Sequence, residues 1–191
     1  MEKRCPWLDQ SKADYVDYHD NEWGVPVYDD QILFEFITLE SAQAGLSWYT
    51  ILKKRDGYRR AFLNFNVVKV AQMNEHDVER LMLDEGIIRN RLKIAATINN
   101  AKRFIEIQQE FGSFSNYQWQ FVGGKPLVNE LDKLSDYPAI TEVSTAFAKD
   151  LKKRGFKFLG PTTVYAHMQA CGMVNDHSND CFRKAEIIEK Y

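Results

Sequence analysis

The chain has 191 residues, 45% of them hydrophobic and 27% charged, and a formal net charge of −2. A chain of this length buries roughly two thirds of its surface on folding, so it can support a core without staples, and its composition excludes a disordered or low-complexity protein. The global charge gives no support to nucleic-acid binding, so any hold on a phosphate backbone has to come from local basic clusters.

The opening Met1-Glu-Lys-Arg-Cys5 lacks a signal peptide's apolar stretch, and the longest apolar runs, such as Ile32 to Ile37, are broken by charge far short of a membrane span. A cytoplasmic protein that does not enter the membrane is expected. Apolar residues recur at helical spacing and predict helices over about 30–44, 48–54, 75–83, 90–111, 114–121, 142–153 and 161–170. No run sustains the alternation of a half-buried strand, so the fold is expected to be all-α. Asn74 and Ser113 stand as N-caps, and Gly45, Gly86, Gly112 and Gly123-Gly124 follow helices where a left-handed residue is wanted. Residues 123–141, with Pro126 and Pro138, read as an extended connection and a lobe boundary. The chain is therefore read as a single domain, with a helical middle lobe over about 30–122 and a second lobe joining about 1–29 to 142–191.

Charge is unevenly spread. Basic clusters lie at Lys53-Lys54-Arg55 with Arg59-Arg60, from Arg89 to Lys93 and from Lys149 to Lys157, while acid gathers at Asp29-Asp30, from Glu75 to Glu85 and from Asp132 to Asp136. Any one cluster taken alone reads as a solvated helix face.

Three cysteines far apart, Cys5, Cys171 and Cys181, argue against a disulfide framework. Cys5 and His19 lie near the start, and His177 and Cys181 lie four apart near the end. Two thiolates and two imidazoles suit tetrahedral zinc, and four protein ligands leave no position for water, so one structural Zn2+ per chain would fasten the termini together. Taken singly, each cysteine reads as a small buried hydrophobe and each histidine as a satisfied side chain; the set carries the reading. Of the others, His76 is expected to be exposed, Cys171 to be a buried thiol, and His167 has no assigned role.

In the helix beginning near Asp30, Leu33, Phe36, Ile37 and Ala44 form an apolar stripe, and Glu40 falls on that same stripe. A carboxylate facing the interior is costly unless it is paired or lines a cavity, so Glu40 marks either a site or a buried salt bridge to an arginine. Trp7, Tyr15, Tyr18, Trp23, Trp48 and Tyr49 crowd the first quarter of the chain. Such aromatics build cores, and beside a misplaced acid they also describe a pocket that stacks a flat cationic ring.

Between two predicted helices lies Lys152-Lys-Arg-Gly-Phe-Lys-Phe-Leu-Gly160, where Gly155 and Gly160 bracket a short apolar turn flanked by Lys152, Lys153, Arg154 and Lys157. A turn of this kind can offer backbone N–H groups and a helix N-terminus to a phosphate without reading sequence. It resembles the helix-hairpin-helix of DNA repair glycosylases; the plainer reading is an αα-hairpin with glycine in its turn.

Three blocks are more specific. Tyr18-His-Asp-Asn-Glu-Trp-Gly-Val-Pro26, Leu39-Glu-Ser-Ala-Gln-Ala-Gly-Leu-Ser-Trp48, and the hairpin with Met168-Gln-Ala-Cys-Gly-Met-Val-Asn-Asp-His177 are similar to the signature blocks of the 3-methyladenine DNA glycosylase I family, and the resemblance runs from Arg4 to Cys181. It implies a DNA glycosylase that excises 3-methyladenine from double-stranded DNA; no lysine sits in the pocket segments, so a monofunctional hydrolysis by water is expected, and the protein is expected to be a monomer. It implies Cys5, His19, His177 and Cys181 as zinc ligands, in agreement with the spacing. Glu40 and Tyr18 match residues that hydrogen-bond the base, Trp48 the residue that stacks on it, and Tyr15, Trp7 and Trp23 the pocket wall. Gln43, Ala44, Gly45 and Leu46 match the loop that approaches the gap left by the flipped nucleotide, and Lys153, Gly155, Lys157 and Gly160 fall in the DNA-binding hairpin. Two departures are Ser41, where the family pattern has glycine, and the tail from Phe182 to Tyr191. Asp176 lies where other hairpin glycosylases keep a sugar-supporting aspartate, or beside His177 as support for the metal site. The rival readings are a non-catalytic zinc-stabilised DNA-binding module and a glycosylase for another alkylated base such as 3-methylguanine.

Overall fold

The computed structural model describes residues 2–191; Met1, the first residue of the opening stretch considered above, lies outside the described residues. Ten α-helices follow in order: α1 (Ala13–Asn21), α2 (Asp30–Ala42), α3 (Trp48–Ala61), α4 (Val67–Ala71), α5 (Glu75–Leu81), α6 (Arg91–Phe111), α7 (Phe114–Trp119), α8 (Glu142–Lys153), α9 (Pro161–Ala170) and α10 (Phe182–Lys190). The all-α expectation holds apart from two two-residue strands, β1 (Leu127–Val128) and β2 (Val174–Asn175), which pair in parallel. No described helix is long and apolar enough to cross a membrane.

Helix α2 is the axis of the molecule. Every residue from Leu33 to Ala42 is buried, and the helix packs against α3, α6, α7 and α9. A helix that is apolar nearly all round is a core helix, wider in its burial than the single stripe read from sequence. Asp29 caps it by accepting from the Ile32 N–H. Asp30, its first residue, accepts from the backbone N–H groups of Phe114 and Ser115 and from Gln108, so one carboxylate ties the start of α7 and the end of α6 to α2. The other buried acid on α2, Glu35, is neutralised by Arg55 and Arg59 at 2.6 and 2.9 Å.

The predicted starts of α2, α3, α5, α7, α8 and α9 agree with the structure because cap residues mark them: Ser47, Asn74 and Ser113 accept backbone bonds, Thr141 forms a capping box with Ser144, and Pro161 sits at the first turn of α9. Gly112 and Gly123 take left-handed conformations at helix ends as expected. Gly86 does not; its backbone instead packs so close to α3 that a Cβ on Gly57 would come within 2.0 Å of the Gly86 carbonyl oxygen, which leaves room at position 57 only for glycine. Helices α1, α4 and α10 escaped the periodicity. Lys12 gives α1 no side-chain cap, α4 has only five residues, and α10 was read as a charged tail although Ile187 and Lys184 are buried.

Helix α3 runs to Ala61, seven residues beyond the predicted Lys54. The dense charge after Leu52 hid its continuation, yet Arg55 is buried between Glu22 and Glu35 and stabilises the extra turns.

Candidate active site and metal cluster

Glu40, near the C-terminal end of α2, opens into a cavity of about 370 Å³. Its walls include Trp7, Tyr15, Tyr18, Trp23, Gln43 and Trp48, with Ala166 and Gln169 from α9 on another side. Every residue that the sequence reading assigned to base binding therefore lines one cavity. The sequence reading missed the remaining wall, Leu134, Tyr137, Pro138 and Ala139, which comes from the connection after β1. Nothing periodic marks that segment. It is folded over the cavity because β1 pairs with β2 and Asn179 donates its backbone N–H to the Leu131 carbonyl.

The aromatic rings hold one another in place. The Trp7 ring lies 5.4 Å from Tyr15 and 4.8 Å from Trp23, and the Tyr18 ring lies 5.5 Å from Trp48. Offset and edge contacts at these separations stiffen a wall beyond the burial of its area. Three polar atoms of this wall, Trp7 Nε1, Tyr18 Oη and Trp48 Nε1, are buried without a hydrogen-bond partner. Unmade bonds of this kind are expensive in a finished core and are expected where a ligand completes them.

Glu40 is 5% exposed and makes no salt bridge among the described residues. The arginine partner that a structural role would require is absent, since Arg55 and Arg59 serve Glu35 on the same helix instead. Burial alone pushes the Glu40 carboxyl up to about 8. Burial and the nearby Glu40 raise Tyr15 to about 12, and the same two causes place Tyr18 well above the usual phenol range. A buried, unpaired carboxyl facing aromatic rings can hold a cation or a set of N–H donors that would be poorly bound in water.

Behind this wall lies a cluster of residues that could hold a metal ion. One ligand atom each from Cys5, His19, His177 and Cys181 lies within 4.8 Å of the others, and all four residues are buried. The Cys5 Sγ is 3.4 Å from His177 Nδ1, and the Cys181 Sγ is 3.5 Å from the same nitrogen. The Cys181 sulfur holds the Cys5 thiol below its usual range, while Cys5 pushes Cys181 up. Both imidazoles are oriented through their other nitrogens: His19 Nδ1 meets Asp20 at 2.7 Å, itself held by Arg4, and His177 Nε2 donates to the Trp23 carbonyl. This pattern of outer partners accompanies metal-ligating histidines. The sequence reading named Asp176 as a possible support; that place belongs to Asp20, adjacent to His19 in the chain. Asp176 is fully buried and accepts from Tyr165, Gln169 and Asn129.

Helices α8 and α9 enclose the predicted hairpin. Gly155 has φ +91°, Lys153, Lys157 and Gly160 are exposed, and Phe158 stands out into solvent at positive φ. Arg154 does not belong to a free basic face, because it pairs with Glu110 and Asp150 and lies over Phe111 and Tyr117. The hairpin is clamped to α6 by Asn100, which bonds both the N–H and the carbonyl of Lys157 at 2.9 Å, and by Asn99 on the Gly155 carbonyl. Sequence reading missed these two asparagines, since nothing in a helix interior advertises a distant partner. Across the molecule, Lys93 from α6 donates to the carbonyls of Ala42 and Ala44 at 3.1 and 3.0 Å. That bond pins the loop after α2, leaving Gly45 and Leu46 exposed at its tip.

The remaining side chains fall as read. His76 is exposed, and Cys171 is buried, its thiol pushed up to about 12. His167 is a buried residue of α9 bonded to Gln118, and burial lowers it to about 3.

Comparison with known proteins accords with this arrangement. A family model described as methyladenine glycosylase matches residues 7–184. The chain is 50% identical over 181 residues to a DNA-3-methyladenine glycosylase of Haemophilus influenzae, covering 95% of this chain and 97% of the relative. A crystal structure of 3-methyladenine DNA glycosylase I superposes with a TM-score of 0.91 at 51% identity, covering 94% of this chain and 98% of that one. A variant of 3-methyladenine DNA glycosylase I solved in complex with 3-methyladenine superposes with a TM-score of 0.89 at 43% identity, covering 91% and 93%. Matching along nearly its whole length in sequence and in backbone, the chain belongs to the methyladenine glycosylase family.

Proposed function

We propose that the protein hydrolyses the N-glycosidic bond of 3-methyladenine in alkylated double-stranded DNA, with the extruded base held in the cavity around Glu40. The observation that carries this reading is the unpaired, buried Glu40 among aromatic rings whose own donors are unpartnered. Methylation at N3 makes the nucleobase cationic and weakens its bond to the sugar, so the enzyme has mainly to extrude, select and position it. Trp48 stacks on the charged ring, Glu40 accepts its hydrogen bonds and balances its charge, and Tyr18 fixes its edge. Trp7, Tyr15 and Trp23 close the wall. Neutral adenine cannot offset the cost of ionising a buried Glu40 and is rejected.

The exposed loop at Gly45 and Leu46 enters the space left by the flipped nucleotide. The hairpin with Lys153, Gly155, Lys157 and Gly160 holds the phosphate backbone without reading sequence. Cys5, His19, His177 and Cys181 hold a structural zinc ion, which their two sulfur and two nitrogen donors fit; the ion supplies cross-linking of the chain ends and no chemistry on the base. The cluster lies next to the pocket wall through the 5.4 Å contact of Trp7 with His19, so it also fixes the aromatic wall. The two-lobe description follows a similar division: a helical middle that brings Glu40 and Trp48, and joined ends that bring Trp7, Tyr15, Tyr18, Trp23 and the proposed metal ligands. We place the protein in the cytoplasm, working as a monomer.

The test is incubation of purified protein and a Glu40→Gln variant with methylated duplex DNA, followed by chromatography of released bases. Release of 3-methyladenine by the parent and its loss in the variant is the expected result. No release by folded, zinc-replete parent would leave a DNA-binding module in its place.

A further inference from the structure

Among the polar side chains of the cavity that the base reading leaves without a task, Gln169 is the one held by a buried carboxylate. Gln169 lines the cavity from α9, and its Nε2 donates to Asp176 Oδ2 at 2.9 Å. Asp176 is fully buried, and its carboxylate also accepts from Tyr165 at 2.5 Å and Asn129 at 2.7 Å. A carboxylate only accepts, so it discriminates between the two ends of the Gln169 amide and fixes the nitrogen against itself. Gln169 Oε1 is left as the uncommitted end; it receives no hydrogen bond from any described side chain.

We propose that Gln169 is a specificity-determining residue, oriented by Asp176 so that Oε1 presents a fixed acceptor to the amino edge of the bound purine. An exocyclic amine donates two hydrogen bonds, and Glu40 on α2 and Gln169 on α9 can accept them from different sides of the cavity. A keto group in the same place meets the fixed Gln169 acceptor with no hydrogen to give it. The network also gives Asp176 a task apart from the sugar: closed in by three donors, it acts through Gln169 as a positioning residue. A protein amide can rotate by half a turn at little cost, so an unanchored glutamine would accept either edge; the buried carboxylate removes that freedom.

This inference rests on the proposed binding of 3-methyladenine in the cavity, and the experiment separates the two. Calorimetric affinities of the free bases 3-methyladenine and 3-methylhypoxanthine, which differ in the amino or keto group, are measured for the parent, Gln169→Leu and Asp176→Asn. Thermal melts accompany each. Failure of the parent to bind 3-methyladenine would overturn the pocket reading itself. With binding established, the parent's preference for the amino base should fall on the order of tenfold in Gln169→Leu, the effect of one hydrogen bond lost against a mismatched acceptor. Asp176→Asn, which lets the amide turn, should show the same loss of preference while retaining affinity for the keto base. A folded Gln169→Leu protein with the parent's preference would overturn the proposal. If Asp176→Asn does not fold, Gln169→Leu, at a half-buried position, decides alone.

Discussion

Replacing Glu40 by glutamine should stabilise the free protein in alkali while abolishing its proposed activity, and the size of the first effect follows from the structure. Burial raises the carboxyl from an ordinary 4.5 to about 8. The folded state therefore binds the Glu40 proton more tightly than the unfolded chain does. The stability from this group is fully present below pH 4.5, declines as pH rises between the two values, and is lost above about 8. Each pH unit in that window is worth about 1.4 kcal/mol, so keeping Glu40 protonated where the unfolded chain would ionise it costs the fold on the order of 3 kcal/mol at pH 7, and the full difference, reached once the folded group ionises too, is about 5 kcal/mol at pH 9. Glutamine keeps the shape and has no charge to bury. Urea unfolding of parent and Glu40→Gln at pH 4, 7 and 9 should give curves that nearly coincide at pH 4 and separate progressively in favour of the variant. Parallel pH profiles would refute the argument that Glu40 is held unpaired at a cost, and with it the reason to assign it a cationic ligand.

Metal removal should loosen the chain ends before the helical middle. Chelation, or Cys181→Ser, is expected to lower the melting temperature and enhance the reactivity of Cys5, read by thiol titration beside metal analysis, because buried sulfur and imidazole groups lose their common partner. Lys153→Ala and Lys157→Ala should each weaken duplex binding uniformly across sequences and reduce the salt dependence by about one phosphate contact, measured by fluorescence anisotropy over a salt series. Gly57→Ala should destabilise the protein by roughly 3 kcal/mol or more, since its Cβ would sit 2.0 Å from the Gly86 carbonyl oxygen, backbone that cannot swing aside. Equal unfolding midpoints for the parent and this variant would show that α3 and the turn at Gly86 can separate freely.

The residue sequence by itself determined the parts whose signals are local. Caps at Asn74 and Ser113 marked helix starts, and the periodicity around Leu33 and Phe36 exposed Glu40 as an acid among core positions. The chemistry of the two cysteines and two histidines announced a cluster fit to hold a metal, and the glycines of 152–160 announced a hairpin. Tertiary structure decided everything that depends on which distant surfaces meet. It gave Arg55 to Glu35 and left Glu40 alone, a choice that the sequence, with several arginines and several acids, left open. It folded residues 134–139 over the cavity through pairing of two-residue strands too short to carry any periodicity. It also turned Asp176 away from the metal ligands toward Gln169, because side-chain direction, unlike residue type, is fixed only when the helices have packed.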